Sequence, residues 1–438
     1  MSRRSNKWRE PFQTTITDLN SHGKGVSRHN DKVVFVAGAL PGEEVTVQRM
    51  VRSRKFDQAK VVEIHKPSEY RVQPKCDVFE QCGGCALQHL DSHQQILHKE
   101  KQLIEDLRRI GKVEPEHIFE PLAASSWSYR RRARLGVRYV PKKGKVLIGF
   151  RERFSNYITN MDTCPILDTR INALLPELSQ LIESLSIQRH VPQIEVSAGD
   201  NAVALVFRIM EDLSDVDMTL FTLFDEKYKD VHVYLQRGGL DTVEGLQDYP
   251  SLEYALTDDL SMDFQPIDFV QVNADLNKLM IQRALNALQL NTEQTVLDLF
   301  CGLGNFTLPM AQLAKEVVGV EGEQSLVKRA QANMAKHDIQ NVSYHIANLF
   351  EDFSKADWVR KFDTILIDPP RAGAELVCQN IEVFNANRIV YISCHPGSLA
   401  RDSGILVNEK GYRLESAGVM DMFPHTAHVE SIGVFTKS

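Results

Sequence analysis

From about Asp263 onward, short apolar runs alternate with stretches of helical composition. The runs are Thr295–Phe300, Glu316–Val320, Val342–Ala347, Thr364–Ile367 and Arg388–Ser393, and the intervening stretches include Phe306–Leu313 and Ser325–His337. Runs of this length, spaced by helices, predict the parallel strands of a doubly wound, Rossmann-like α/β domain. The first 66 residues follow another rhythm. Phe12–Ile16, Lys32–Val36, Glu44–Arg49 and Gln58–Ile64 are β-rich, and turn signals at Ser21–Gly25, Asn30-Asp31 and Pro41-Gly42 separate them. That spacing predicts a small OB-like β-barrel over residues 9–66, a fold that commonly binds oligonucleotides. Pro67–Pro74 is a linker, and Ser92–Gly111 has a helical stripe of Ile96, Leu97, Leu103, Ile104, Leu107 and Ile110. Ser128–Tyr139 and Val146–Phe150 predict a strand pair, and residues 166–262 an α+β region.

Charge changes this picture. The chain carries a net −7, yet residues 1–75 hold 15 Lys and Arg against 8 Asp and Glu, and residues 125–160 hold 10 against 1. Two basic segments beside an acidic remainder suit an RNA platform joined to an enzyme. Arg49–Lys55 is expected on a strand-to-strand loop. Arg130-Arg131-Arg132-Ala133-Arg134 is either a grip on the RNA backbone or a solvated edge strand. No apolar run is long enough to span a bilayer, and Met1–Arg9 lacks the apolar core of a signal peptide, so the cytoplasm is the expected compartment. Nothing calls for an obligate protein partner.

Three segments carry chemistry. Val296–Phe306 contains Asp298, Gly302 and Gly304 between a strand and a helix, where glycines let the backbone approach a ligand. A third glycine, expected for a pyrophosphate, is replaced by Thr307. Glu321 ends the next strand, where an acid can accept from ribose hydroxyls, and Asn348 ends the third, where it can meet an adenine. With Asp368-Pro369-Pro370-Arg371 after the fourth strand, the layout favours S-adenosylmethionine over NAD. Cys394 follows the fifth strand and precedes a turn. A thiolate there could add to C6 of a uracil and make C5 nucleophilic toward a methyl donor; a base must then take the C5 proton. Glu430 is a candidate base, although by spacing alone such a glutamate is normally a surface acid. If Cys394 were only structural, the Asp-Pro-Pro segment would suit methylation of an exocyclic amine, which needs no nucleophile. A non-catalytic RNA-binding assembly factor is the reading from another class.

The chain has seven cysteines. Cys76, Cys82 and Cys85 cluster, and Cys164 follows far on. Four thiolates suit a structural zinc or an iron–sulfur cluster; with one Cys-x2-Cys pair rather than two, the spacing favours iron–sulfur.

Together these residues resemble the RNA 5-methyluridine methyltransferases, most closely bacterial members that act on 23S ribosomal RNA and carry an iron–sulfur cluster. The resemblance covers nearly the whole chain. Gly23–Val26 and Phe35–Glu43 resemble that family's TRAM domain, and Phe269–Asn273 its glutamine segment. It implies a [4Fe-4S] cluster on Cys76, Cys82, Cys85 and Cys164, and S-adenosylmethionine contacts from Gln271, Phe300, Asn305, Glu321, Asn348 and Asp368. It also implies Cys394 as nucleophile and Glu430 as base. The implied division is a TRAM domain at 9–66, an iron–sulfur domain at 67–92 and 125–262, and a methyltransferase domain at 93–124 and 263–438. A transfer-RNA uridine remains the alternative substrate. Three positions depart from the family pattern: His395 stands where Asn is usual, Gly397-Ser398 where Ala-Thr is usual, and Asn348 where Asp is common.

Overall fold

The computed structural model describes residues 7–437; the first six residues of the basic Met1–Arg9 stretch, and Ser438, lie outside the described residues. No helix among the described residues is long and apolar enough to cross a membrane.

The largest sheet has eight strands in the order Val342–Ile346, Glu316–Glu321, Thr295–Leu299, Thr364–Ile367, Arg388–Ser393, Glu430–Lys437, Tyr412–Met420 and His117–Ile118. The first five are parallel. Glu430–Lys437 is antiparallel to both of its neighbours. Alternation along the strands splits the apolar residues between two cores. Leu366, Val390 and Ile392 pack with Ala284 and Leu288 of the Ala274–Leu288 helix. Ile365, Ile367, Ile389 and Tyr391 pack with Leu399 and Leu406 of the Pro396–Asn408 helix. Helices on both faces explain why these strands read as continuous apolar runs. From Thr295–Leu299 the chain winds outward to Val342–Ile346, then returns to the opposite side at Thr364–Ile367. That reversal opens a crevice at the carboxyl ends of the strands.

Segment 92–122 belongs spatially to this sheet. Asp91 caps the Ser92–Asp106 helix by accepting from the His93 and Gln94 N–H groups. The helix packs on Pro396–Asn408 and on Tyr412–Met420, and His117–Ile118 adds an edge strand. It closes in a wide π-turn over Leu107–Gly111, with Lys112 at φ +56°. Gly111 serves close approach: a Cβ there would lie 2.3 Å from the Ala400 carbonyl oxygen.

The N-terminal sheet has six strands, adding Asp18–Leu19 and Gly25–His29 to the four expected runs. The expected turn stops one residue early, because the Asn20 side chain accepts from both His22 and Lys24 N–H and Gly25 begins a strand. Only the end of Arg49–Lys55 lies on a strand-to-strand loop: Ser53, Arg54 and Lys55 join Glu44–Arg52 to Phe56–Lys66. The strand continues to Arg52, and Arg49 is paired with Asp57 at 3.1 Å.

The central sheet corrects a second expectation. Arg132–Val140 lies between Gln193–Ala198 and Lys145–Gly149, so it is an interior strand. Three arginines at its start have partners. Arg131 pairs with Asp200 at 2.5 Å, Arg134 with Glu195 at 2.8 Å, and Arg132 donates to the Ile267 and Asp268 carbonyls. Arg132 ties the central sheet to the segment before the Ala274–Leu288 helix, while Arg134 stays largely exposed.

Candidate active site

The crevice deepens into a cavity of about 630 Å³. Gln271, Phe300, Asn305, Glu321, Asn348, Asp368, Cys394 and Glu430 all line it. Residues far apart in sequence meet because most of them end or follow a parallel strand at the same end of the sheet, where the antiparallel strand of Glu430 begins.

The glycine loop forms the cavity floor. Gly302 and Gly304 adopt φ +55° and +99°, and Phe300 also holds a positive φ of +65°, a strained choice for an aromatic residue and typical of functional loops. Beneath the loop Asp298 is buried: one carboxyl oxygen accepts from Thr307 Oγ1 at 2.5 Å and the other has no partner. Burial pushes this carboxyl up to about 8. Glu321 is held by backbone amides, accepting from Gly302 N–H at 3.1 Å and Gly322 N–H at 2.7 Å. Asn305 exchanges side-chain hydrogen bonds with buried Asn277. Asn348 donates to Glu351 at 2.8 Å and accepts from Phe350 N–H, shaping the turn that carries Phe350. Phe300 and Phe350 stand 5.7 Å apart, ring to ring, and Phe350 and Phe269 are 52% and 68% exposed, leaving aromatic faces for a flat ligand.

The other end of the cavity holds the reactive groups. Arg388–Ser393 pairs with Glu430–Lys437 through Ser393 and Ser431. Cys394 and Glu430 are the next residues beyond that last pair, and both line the cavity. Cys394 sits just before the Pro396–Asn408 helix, whose Ser398 N–H donates to His395 Nδ1 at 3.1 Å. Thus two of the departures from the family pattern meet: the imidazole supplies the N-cap acceptor that an Asn would supply. Burial pushes the Cys394 thiol up to about 11, with Glu430 and Asp368 adding to the rise and Arg371 opposing it. Burial, with Asp368, pushes Glu430 well above the usual carboxylate range, and burial pushes Asp368 up to about 7. At about 11 the Cys394 thiol keeps its proton at pH 7. Arg371, Phe269, Phe350, Phe423 and His428 also line the cavity. They lie in or beside the quoted motifs, but nothing in their spacing marks them as walls.

The second cluster of reactive side chains lies between the N-terminal and central sheets. Cys82, Cys85 and Cys164 are buried and Cys76 is half-buried, all as free thiols. Cys85 is pushed up to about 12, chiefly by burial, with Cys164, Cys82 and Cys76 adding to the rise. The Gly84 N–H points at Cys82 Sγ from 3.3 Å. Arg153 donates to the Cys82 and Cys85 carbonyls, at 2.9 and 2.8 Å, and lies over the Phe79 ring. Among the described residues, no three His, Cys, Asp or Glu side chains converge as they would on a single metal ion.

The sequence model of the tRNA (Uracil-5-)-methyltransferase family matches residues 91–438, and that of the TRAM domain matches residues 12–48. The chain belongs to the tRNA (Uracil-5-)-methyltransferase family. Within this family it is 50% identical over 436 residues, covering 98% of each chain, to a Stenotrophomonas maltophilia protein named 23S rRNA (uracil(1939)-C(5))-methyltransferase RlmD. A Francisella tularensis protein of the same name is 47% identical, with 100% of this chain and 99% of that one covered. Among solved structures, the Pyrococcus abyssi tRNA (uracil-54, C5)-methyltransferase in complex with S-adenosyl-L-homocysteine superposes with a TM-score of 0.75 at 25% identity, over 97% of this chain and all of that one.

Proposed function

We propose that this protein methylates C5 of a uracil in 23S ribosomal RNA, at the position equivalent to 1939, using S-adenosylmethionine. Cys394 is the nucleophile and Glu430 the base. The observation that supports the reading is that Cys394 and Glu430, each next to the last pair of two neighbouring strands, line the same cavity. The substrate follows from near-full-length identity of 47–50% to the ribosomal members, against 25% to the solved transfer-RNA member.

When bound, S-adenosylmethionine supplies an electrophilic methyl group on a positive sulfonium. Phe300 and Asn348 are read as facing its adenine, Glu321 its ribose, and Gln271, Asn305 and Asp368 its remaining polar atoms. The Cys394 sulfur adds to uracil C6, and the electron pair of the C5–C6 bond moves toward C5, which takes the methyl. Glu430 then removes the C5 proton, the C5–C6 double bond re-forms, and the sulfur leaves. A base that holds its proton as tightly as buried Glu430 is a strong acceptor once ionised. Reaching C6 requires the uracil to leave its stack.

Cys76, Cys82, Cys85 and Cys164 are read as ligands of a [4Fe-4S] cluster. Four neighbouring thiols, an amide aimed at one sulfur and the Arg153 charge fit such a group. With every ligand position filled by protein, its contribution would be to fix loop geometry and contact RNA. The division into a TRAM domain at 9–66, a cysteine domain at 67–92 and 125–262, and a catalytic domain at 93–124 and 263–438 belongs to the same reading. The test is to map 5-methyluridine in ribosomal and transfer RNA from cells lacking the gene. Loss from 23S RNA alone is expected; loss from transfer RNA alone would refute the assignment.

A further inference from the structure

We infer that Gln95 is a positioning residue for Glu430, tying the base's loop to the cysteine-bearing segment. The inference rests on the assignment of Glu430 as the base. Glu430 is the first residue of its strand, and the chain before it, from Asp421, has no helix or strand to fix it. Its anchors come from elsewhere. Gln95, 1% exposed, reaches in from the Ser92–Asp106 helix, and its Oε1 accepts from His425 N–H at 2.9 Å. Its Nε2 donates to the Leu87 and Leu90 carbonyls at 3.0 and 2.8 Å and lies 3.2 Å from His425 Nδ1. The Ala86 and Leu87 N–H groups, immediately after Cys85, both donate to the His425 carbonyl. One helical turn beyond Gln95, Lys99 donates to Asp421 at 2.6 Å and to the Phe423 carbonyl at 3.0 Å. Tyr129 O–H donates to the Pro424 carbonyl at 3.0 Å. His425 holds φ +64°, a conformation that persists in a non-glycine residue when its surroundings over-determine it.

None of these bonds reaches Cys394, which hangs from the Arg388–Ser393 strand and the capped start of the following helix. Releasing the anchors therefore moves the base and leaves the nucleophile in place. Addition of sulfur to C6 and methylation of C5 continue. Removal of the C5 proton slows, so the adduct in which C5 carries both methyl and hydrogen persists, still joined to Cys394 through C6.

The test compares Gln95→Met, Gln95→Glu and Glu430→Gln in the full-length protein with substrate RNA. For Gln95→Met, kcat should fall by about 10- to 100-fold, the cost of a small misplacement. KM for RNA and the single-turnover rate of adduct formation should stay near those of the parent, and the fraction of RNA in denaturant-stable adduct should rise toward that of Glu430→Gln. Gln95→Glu keeps the acceptor for His425 N–H and loses the Nε2 donors; it should show the same partition and serves if Gln95→Met does not fold. Parental turnover in both Gln95 variants, or equal slowing of adduct formation and release, would overturn the inference. If Glu430→Gln itself accumulates no adduct, the assignment of the base fails instead.

Discussion

The catalytic cavity and the cysteine loop both gather groups whose acidity burial weakens, but they are built in opposite ways. In the cavity, parallel strands and the loops after them deliver most of the lining to a common edge, and the strand pair that ends at Ser393 and Ser431 brings Cys394 and Glu430 to it. Around Cys82 and Cys85 the backbone is irregular, and the Arg153 side chain and bonds to neighbouring loops hold the shape. A site on strand ends keeps its geometry when empty. A site made of loops depends on what its side chains bind. The two should therefore respond differently to loss of one sulfur.

The largest effect expected is from Cys394→Ala. Turnover should fall by roughly 10⁴-fold or more, as when a covalent nucleophile is removed, while iron content and melting temperature stay at parental values. Cys85→Ser should do the reverse in kind: iron and sulfide per chain, measured on anaerobically purified protein, should drop, and the melting temperature with them. A colourless parent protein with stoichiometric zinc would break this half of the comparison. Between these two regions, Lys99→Met leaves the Asp421 carboxylate buried without its partner at 2.6 Å. Breaking a buried pair in this way should cost about 3–5 kcal/mol in chemical denaturation.

A smaller effect is expected with pH. Without cofactor the Cys394 thiol is pushed up to about 11. The thiolate fraction then rises with pH across the neutral range. Reversible addition to C6 exchanges the C5 hydrogen, so tritium release from C5-labelled RNA, measured without cofactor, should rise about tenfold per pH unit from about 7 to 9. A flat profile would mean that RNA binding alone lowers the thiol. The smallest effect concerns His395. His395→Asn should match the parent in stability, while His395→Ala should lose about 1 kcal/mol, the usual worth of an N-cap.

The same contrast explains what could be read from the chain. The strands Thr364–Ile367 and Arg388–Ser393 match their apolar runs end to end, because burial on both faces leaves an unbroken signal. Motif residues such as Glu321 and Asp368 were legible because they follow such runs. The pairing of Cys394 with Glu430 was not, since it depends on the register of an antiparallel strand that arrives only after a helix and another strand. The edge-strand reading of Arg130–Arg134 fails for a related reason. Asp200, Glu195 and the Ile267 and Asp268 carbonyls that occupy those arginines are distant in sequence, so the run looks uncommitted. Arg49 likewise pairs with Asp57, across a strand extended past its apolar part. For the four cysteines, spacing suggested a common site, whereas the Gly84 amide and Arg153 that surround them carry no pattern of their own.

The central claim is that one sulfur, Cys394, attacks the base. Incubating the protein and cofactor with substrate RNA carrying 5-fluorouridine at the target tests this most directly, because fluorine cannot leave as a proton and the adduct cannot resolve. The account predicts a denaturant-stable complex, one RNA per chain, cross-linked through Cys394 and absent from Cys394→Ala. Methylation of normal RNA by Cys394→Ala, or an adduct mapped to any other residue, would contradict it.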